Sequence, residues 1–132
     1  MRLATWSYVD ELDNAVKFYQ EVFGAKIKEN EVWKKPDGTY FICTFELDGG
    51  GTFSLAAREG KDAIEGKANT GNIMQLCMYY RKNELDKLEN AYAKLIVGAE
   101  IRTPLESSEF TSHTCDLIDK YGVRWCLMVW GE

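Results

Sequence analysis

The sequence is poor in the features that mark several classes of protein. Its 132 residues include only two prolines and one histidine, and Lys and Arg number 16 against 21 Asp and Glu, for a net charge of −5. Few prolines and no low-complexity run argue against a disordered chain. An acidic chain lacks the basic face that meets the phosphates of nucleic acids, so no nucleic-acid partner is expected.

Long apolar runs are also missing. No stretch reaches the roughly 18 apolar residues of a membrane-spanning helix, and the first residues, MRLATW, do not form the apolar segment of a signal peptide. Hydrophobic residues nevertheless make up 45% of the chain and aromatic residues 13%, which suffices for the core of one domain. We therefore expect a cytoplasmic globular protein with no membrane partner.

The four cysteines show no spacing typical of a metal site or a disulfide framework. None lies in a CxxC motif, and each falls in an apolar run that resembles a strand. They are Cys43, Cys77, Cys115 and Cys126. The expected state of each is a reduced thiol buried in the core.

Two segments have the apolar spacing of amphipathic helices. Apolar residues recur at i, i+3, i+4 and i+7 over residues 12–23 and again over 85–96. The N-cap expected for the first helix is Asp10 and for the second Asn83, and the glycines expected to end them are Gly24 and Gly98.

The remainder alternates in the manner of β-strands. The predicted strands cover residues 3–9, 25–34, 39–48, 52–58, 73–80, 99–104, 111–118 and 123–130. Turn sequences such as PDG at 36–38 and DGGG at 48–51 separate several of them.

The two halves of the chain look like copies of one unit. Each has the order strand, helix and three strands, and the words GAKI at 24–27 and GAEI at 98–101 follow the two helices. We therefore predict one α+β domain over residues 1–132. It contains two tandem βαβββ modules, 1–58 and 73–132, and the polar segment 59–72 is the linker between them.

Two motifs resemble the vicinal oxygen chelate superfamily, which contains glyoxalases, bleomycin resistance proteins and extradiol dioxygenases. Residues 15–27, AVKFYQEVFGAKI, resemble its first-helix signature, and residues 119–125, DKYGVRW, resemble its last hairpin. Lys120 stands where proline is usual, and the hairpin is most similar to the branch associated with phosphonate-utilisation operons. The resemblance implies a curled mixed sheet around an open cavity, helices outside, and a homodimer.

The resemblance also implies where a metal ion would bind. Metal enzymes of the superfamily hold one divalent ion with His, Gln or Glu from strands one, four, five and eight. The matching positions here are Thr5, within one residue, Ser54, Gln75 and Cys126. Gln75 alone is an ordinary ligand of the family, and no carboxylate offsets the charge of an ion. We therefore expect no metal and no cofactor; if zinc, nickel or manganese were bound, Gln75 and Cys126 would be its ligands.

Strand alternation separates an apolar set, suited to packing under a helix, from a set that mixes polar and aromatic residues. Large side chains such as Tyr79, Met128 and Trp130 are costly on a bare solvent face, so we expect the mixed set to line a cavity. Arg124 is a candidate partner for an anionic group, and Trp6 and Trp33 are candidates to stack on a planar ligand. The predicted ligand-binding residues are Thr5, Ser7, Ser54, Gln75, Cys77, Tyr79, His113, Arg124, Cys126, Met128 and Trp130.

Three functions are compatible with these patterns. The first is a metal-free protein that binds a small anionic or planar molecule, as bleomycin resistance proteins do. The second is a metal-dependent lyase or isomerase of the glyoxalase type, with His113 as a weak catalytic candidate. The third is a structural dimer whose site is vestigial. The sequence leaves open whether the protein is an enzyme.

Overall fold

The chain folds as two βαβββ units, which confirms the predicted α+β class and the tandem modules. The computed structural model describes residues 1–60 and 68–130, and the chain divides into a first unit, Met1–Ala68, and a second unit, Asn69–Glu132. Most of the predicted linker, residues 61–67, lies outside the described residues.

The first unit is a four-stranded mixed sheet with one helix. Its elements are β1 (Trp6–Val9), α1 (Leu12–Phe23), β2 (Lys26–Lys34), β3 (Tyr40–Glu46) and β4 (Thr52–Ala57). The strand order is β1-β4-β3-β2, with β1 parallel to β4 and the other pairs antiparallel. β1 begins three residues later than predicted, because its pairing with β4 begins at Trp6.

The second unit repeats this topology. Its elements are β5 (Leu76–Tyr80), a 3₁₀ turn (Lys82–Glu84), α2 (Leu85–Leu95), β6 (Glu100–Glu106), β7 (Thr114–Ile118) and β8 (Arg124–Val129). The strand order is β5-β8-β7-β6, again with one parallel pair, β5 and β8. β5 is also shorter than predicted, since its pairing with β8 begins at Leu76.

The helix starts differ from those expected, whereas the first helix end is confirmed. Glu11, not Asp10, is the N-cap of α1, and it has a left-handed backbone with φ 52° and no side-chain capping bond. Asp10 instead accepts a hydrogen bond from Arg58. Gly24 ends α1 at φ 60°, a conformation that glycine adopts without a Cβ clash, and its amide donates to the carbonyl of Gln20.

Asn83 is not the N-cap of α2 because it lies inside the 3₁₀ turn that precedes the helix. Glu84 occupies the cap position, and its carboxylate accepts a hydrogen bond from the backbone amide of Arg81. The helix ends at Leu95, and Gly98 follows in the next turn at φ 74°. Neither α1 nor α2 is long and apolar enough to span a membrane.

Each helix covers one face of its own sheet. In the first unit Tyr19 of α1 meets Phe53 edge to face at 6.0 Å, and Phe53 stacks on Phe45 at 4.9 Å. In the second unit α2 packs on β5 and β8, where Leu88 and Trp125 are fully buried. Burial of each such side chain contributes about 1.5–3 kcal/mol, so these contacts determine which sheet face carries the core.

Candidate functional site

The other face of each sheet, turned away from the helix of its own unit, carries most of the predicted site residues, and we call it the helix-free face. In the first unit Ser54 pairs with Trp6 on one side and with Thr44 on the other, so the three form a row across the sheet. Residues paired directly across strands project to the same side.

Two predicted residues lie on the wrong side of β1. Ser7 pairs with Leu55, which is fully buried on the helix side, and Thr5 has the same alternation as Ser7. The prediction that Thr5 and Ser7 share a surface with Ser54 is therefore wrong, because one residue of register moves a side chain to the opposite face. Trp6 occupies the place next to Ser54, and Thr5 contributes its carbonyl as the acceptor for the amide of Ser54.

A cleft of about 470 Å³ with aromatic walls lies in the first unit, and we call it the aromatic cleft. Trp6 and Trp33 are 49% and 55% exposed, although large aromatic residues are normally more covered. Lys34 and Lys35 bring two positive charges to it. The complete lining is Trp6, Trp33, Lys34, Lys35, Pro36, Phe41 and Ile42.

The two lysines of the cleft differ in their partners. Lys35 Nζ lies 2.8 Å from the carboxylate of Glu59, which raises the pKa of the lysine, chiefly through that hydrogen bond. Lys34 Nζ lies 5.2 Å from the centre of the Tyr40 ring, in a cation–π contact. Lys34 is therefore better placed than Lys35 to bind an anionic ligand, because a ligand at Lys35 would have to displace the carboxylate of Glu59.

The side chain of Ser54 is hydrogen-bonded within its own sheet. Its hydroxyl shares a hydrogen bond of 2.6 Å with that of Thr44, and both side chains are buried. A hydroxyl is a weak metal ligand even when it is accessible. Ser54 therefore has a structural role in the sheet, as one partner of a buried hydroxyl pair.

A carboxylate that the sequence analysis missed organises the second unit. Asp116 of β7 accepts hydrogen bonds from Arg124 Nε at 3.0 Å, Arg124 Nη2 at 2.7 Å and Gln75 Nε2 at 2.9 Å, and Arg102 Nε lies 3.8 Å away. The hydrogen bonds from Arg124 hold the pKa of Asp116 below its usual value. The sequence signal that could have identified Asp116 is a carboxylate in the interior of a strand, two residues after Thr114 and therefore on the same face.

Two thiols lie side by side next to this group. Cys77 of β5 pairs directly with Cys126 of β8, and Thr114 Oγ1 is 3.6 Å from Cys126 Sγ. Cys77 is exposed, so the expectation that all four cysteines are buried is wrong for this residue, which lies on the edge strand and the helix-free face. Partial burial of its sulfur, and then the Cys126 thiol, raise the pKa of Cys77.

The other two cysteines behave as the sequence predicts. Cys43 and Cys115 are buried, and burial raises their pKa values to about 12 and about 11. Both are therefore protonated at neutral pH, and they function as small apolar side chains of the core.

Aromatic residues complete the helix-free face of the second unit. The rings of Tyr79 and Trp130 stack at 5.2 Å with an angle of 18° between their planes, and both are exposed. Met128 pairs with Tyr79 across the parallel strands. The structure therefore brings Gln75, Cys77, Tyr79, Arg124, Cys126, Met128 and Trp130 to one face, as their alternation predicts.

His113 is not part of this group. It precedes β7 and has the alternation of Cys115, which faces the helix side, rather than that of Asp116. Its Nδ1 lies 2.9 Å from the hydroxyl of Ser112, and its carbonyl accepts a hydrogen bond from Val129.

The hairpin motif at 119–125 has a structural role. Asp119 is 4% exposed, and its carboxylate accepts hydrogen bonds from the amides of Tyr121 and Val123 and from Trp125 Nε1 at 2.9 Å. Gly122 completes the turn at φ 86°. This carboxylate joins the turn to the largest buried side chain of the second unit.

The residues at the implied metal positions do not fit a divalent ion. Ser54 is paired with Thr44, the amide of Gln75 donates to Asp116, and the Cys126 thiol lies 3.6 Å from the hydroxyl of Thr114. Over residues 1–60 and 68–130, no group of three or more His, Cys, Asp or Glu side chains is placed to hold a metal. These residues therefore do not supply the ligand set through which a metal ion would act.

Comparisons with known proteins agree with the fold. A family model described as the glyoxalase/bleomycin resistance protein/dioxygenase superfamily matches residues 4–127. No curated protein matches the chain significantly.

Several solved structures are similar over nearly the whole chain. One is a putative 3-demethylubiquinone-9 3-methyltransferase, PhnB protein, from Bacillus cereus, with 23% identity, a TM-score of 0.73 and coverage of 98% of this chain and 99% of that one. A glyoxalase-related enzyme from Fulvimarina pelagi has 18% identity, a TM-score of 0.64 and coverage of 98% and 88%. A glyoxylase/bleomycin resistance protein/dioxygenase domain from Frankia has 16% identity, a TM-score of 0.68 and coverage of 98% and 96%. At these identities the likeness concerns the fold.

Proposed function

Because this chain belongs to the glyoxalase/bleomycin resistance protein/dioxygenase superfamily, we propose that it is a metal-free member that binds a small planar anion in the aromatic cleft of its first unit. The observation that carries this proposal is the cleft itself, about 470 Å³ with two half-exposed tryptophans and two lysines in its lining. Ligand sites of small molecules have this character, with mostly apolar walls and a few placed polar groups.

The chemistry of the lining indicates the class of ligand. The faces of Trp6 and Trp33 favour a flat aromatic ring, since stacked aromatic pairs gain about 0.5–1.5 kcal/mol beyond the area they bury. The ammonium group of Lys34 favours a carboxylate or a similar anion on that ring. By contrast, the guanidinium of Arg124 is already held by Asp116 through two hydrogen bonds, so an anion there would have to replace that carboxylate.

The side chains at the implied metal positions support binding without a metal ion. The implied ligands are two hydroxyls, one amide and one thiol, without a carboxylate, and Ser54, Gln75 and Cys126 each have a hydrogen-bond partner within the protein. The alternative, a metal-dependent lyase or isomerase, needs a tightly held ion. Elemental analysis after incubation with zinc, nickel or manganese tests this directly. About one ion per chain with a matching rise in Tm would overturn the metal-free proposal.

Binding itself can be measured with tryptophan fluorescence. Naphthoate is a suitable probe because it is flat and anionic, and naphthalenemethanol is its uncharged counterpart. We expect saturable quenching by naphthoate and weaker binding of the alcohol. Trp33→Ala should weaken naphthoate binding about tenfold, the equivalent of about 1.4 kcal/mol. Lys34→Ala should reduce the preference for naphthoate over the alcohol.

Trp130→Ala is the matched control, because Trp130 is equally exposed but stacks on Tyr79 in the second unit. An affinity that falls equally in Trp33→Ala and Trp130→Ala would contradict the assignment to the cleft. The group on the second unit, Gln75, Cys77, Tyr79, Arg124, Cys126, Met128 and Trp130, is the alternative contact surface for such a ligand, in place of the aromatic cleft. In that case Trp130→Ala alone would weaken binding.

The homodimer and the cytoplasmic location expected from the sequence belong to the same proposal. Sedimentation equilibrium measures the first. A protein that remains monomeric at the concentration at which naphthoate binds would separate ligand binding from dimer formation.

A further inference from the structure

Two sulfur atoms of neighbouring strands lie side by side in the second unit. Cys77 and Cys126 are direct partners in the parallel ladder of β5 and β8, so both side chains project from the helix-free face. The partner of each cysteine in the ladder is therefore the other cysteine, on the same side of the sheet. Cys77 is exposed, whereas Cys126 is 7% exposed, so an outside reagent reaches Cys77 first.

The spacing of the strands suits a disulfide. Paired strands lie about 4.7–4.9 Å apart, and disulfides join Cα atoms that are about 4.4–6.8 Å apart, so the strands do not have to separate. The other cysteines are not placed for this reaction, since Cys115 pairs with Leu127 on the helix side and Cys43 lies in the first unit.

We propose that Cys77 and Cys126 form a reversible disulfide site that closes by exchange with a small-molecule disulfide. In the first step the Cys77 sulfur attacks the small disulfide, which forms a mixed disulfide and releases one small thiol with the Cys77 proton. In the second step the Cys126 sulfur attacks the Cys77 sulfur, which forms the protein disulfide and releases the second small thiol. Two protein thiols are oxidised, and one small disulfide is reduced to two thiols.

Closure would fasten an edge strand to the middle of its sheet. β5 lies at the edge, next to β8, and the two cysteines are 126 − 77 = 49 positions apart. A bond across a long segment stabilises a fold mainly by restricting the unfolded chain. Neither cysteine lines the aromatic cleft, so the disulfide proposal does not rest on ligand binding in that cleft.

The test is equilibration of the whole protein in glutathione buffers of increasing oxidising strength, followed by acid quenching, alkylation and mass spectrometry. An equilibrium measurement is preferable to a rate because the raised pKa of Cys77 slows the attack at neutral pH. We expect two of the four thiols to be lost together and one linked peptide pair containing Cys77 and Cys126. The Tm of the oxidised form should rise by about 5 °C, and dithiothreitol should reverse it.

Two variants distinguish the pair from a single reactive thiol. Cys126→Ser should stop at the mixed disulfide of Cys77 with glutathione, whereas Cys43→Ala should still form the linked pair. Cys77→Ser should react with no glutathione, and because position 77 is exposed this variant should remain folded. Retention of all four thiols by the wild type, or a stable mixed disulfide at Cys77 beside an alkylated Cys126, would overturn the proposal.

Discussion

The two units share a backbone plan but carry different chemistry at equivalent positions. In the first unit Trp6, Ser54 and Thr44 are paired across three neighbouring strands. Cys77, Cys126 and Asp116 are paired across the three equivalent strands of the second unit, and they occupy the matching positions because Trp6 and Cys77 each lie three residues before the end of their strand. The first row is an indole beside two hydroxyls that satisfy each other. The second is a pair of thiols beside a carboxylate that holds an arginine.

The comparison shows which face of each sheet is restricted in its residues by packing against a helix. On the helix side both units keep large buried apolar residues, such as Phe45 and Leu55 in one and Leu117 and Leu127 in the other. Close packing penalises almost any change there. The helix-free face has no helix of its own unit to fit, and it carries an aromatic cleft in one unit and a polar cluster in the other.

The hairpins that precede the last strands show the sharpest contrast. Asp119 of the second unit is buried and accepts three hydrogen bonds, whereas Asp48, in the DGGG turn of the first unit, is exposed. We expect Asp119→Ala to lower the free energy of unfolding by about 3 kcal/mol, because two amides and an indole N–H lose their acceptor inside the protein. Asp48→Ala should change it by less than about 0.5 kcal/mol. Urea unfolding measures both, and equal effects would contradict the contrast.

The buried hydroxyl pair of the first unit allows a second test. Ser54→Ala or Thr44→Val alone should cost about 1–2 kcal/mol, since each leaves the other hydroxyl buried and unsatisfied. The double variant should cost little more than either single one, because both polar groups are then gone. Unfolding of the four proteins gives the coupling energy. Additive effects would show that the two hydroxyls do not depend on each other.

The pH dependence of stability should depend on Asp116 of the second unit. The pKa of Asp116 is lowered in the folded protein, chiefly by hydrogen bonds from Arg124. A carboxyl with a lowered pKa stabilises the fold above its unfolded pKa of about 3.9, and this contribution is lost as the pH falls through the folded value. In Asp116→Asn this contribution is absent. We therefore expect this variant to be less stable than the wild type near neutral pH and to lose less stability between about pH 5 and pH 2, with an acid midpoint no lower than that of the wild type.

Asp48→Asn is the matched control for this experiment, since it also removes one carboxylate but from an exposed turn. An equal reduction, in Asp48→Asn and Asp116→Asn, of the stability lost between about pH 5 and pH 2 would indicate a general effect of net charge. Urea unfolding at a series of pH values, followed by circular dichroism, is sufficient for the measurement.

Much of the fold could be predicted because its signals are local. The helices were recognised from apolar spacing, the strands from alternation, and the two modules from the repeated order and the GAKI and GAEI words. The helix starts were wrong because Asp10 forms a tertiary ion pair with Arg58, and Asn83 falls in a 3₁₀ turn. Neither feature is visible in the spacing of apolar residues.

The candidate site was predicted less completely because it depends on which residues are paired. Alternation correctly grouped Gln75, Cys77, Arg124 and Cys126, but it gave no relation between β1 and β4, which lie far apart in the sequence. Thr5 and Ser7 were therefore placed with Ser54 although the register puts Trp6 there. Asp116 was overlooked, since its importance lies in its contacts with Gln75 and Arg124.

The amino-acid sequence by itself determined the class of fold, the duplicated module and the division of each strand into two faces, because these follow from periodicities within a few residues. The tertiary structure decided which faces of different strands coincide. It placed Trp6 beside Ser54, paired Cys77 with Cys126, and brought the carboxylate of Asp116 to the guanidinium of Arg124. These contacts join residues 8 to 49 positions apart, and their register is set by the packing of the whole sheet under its helix.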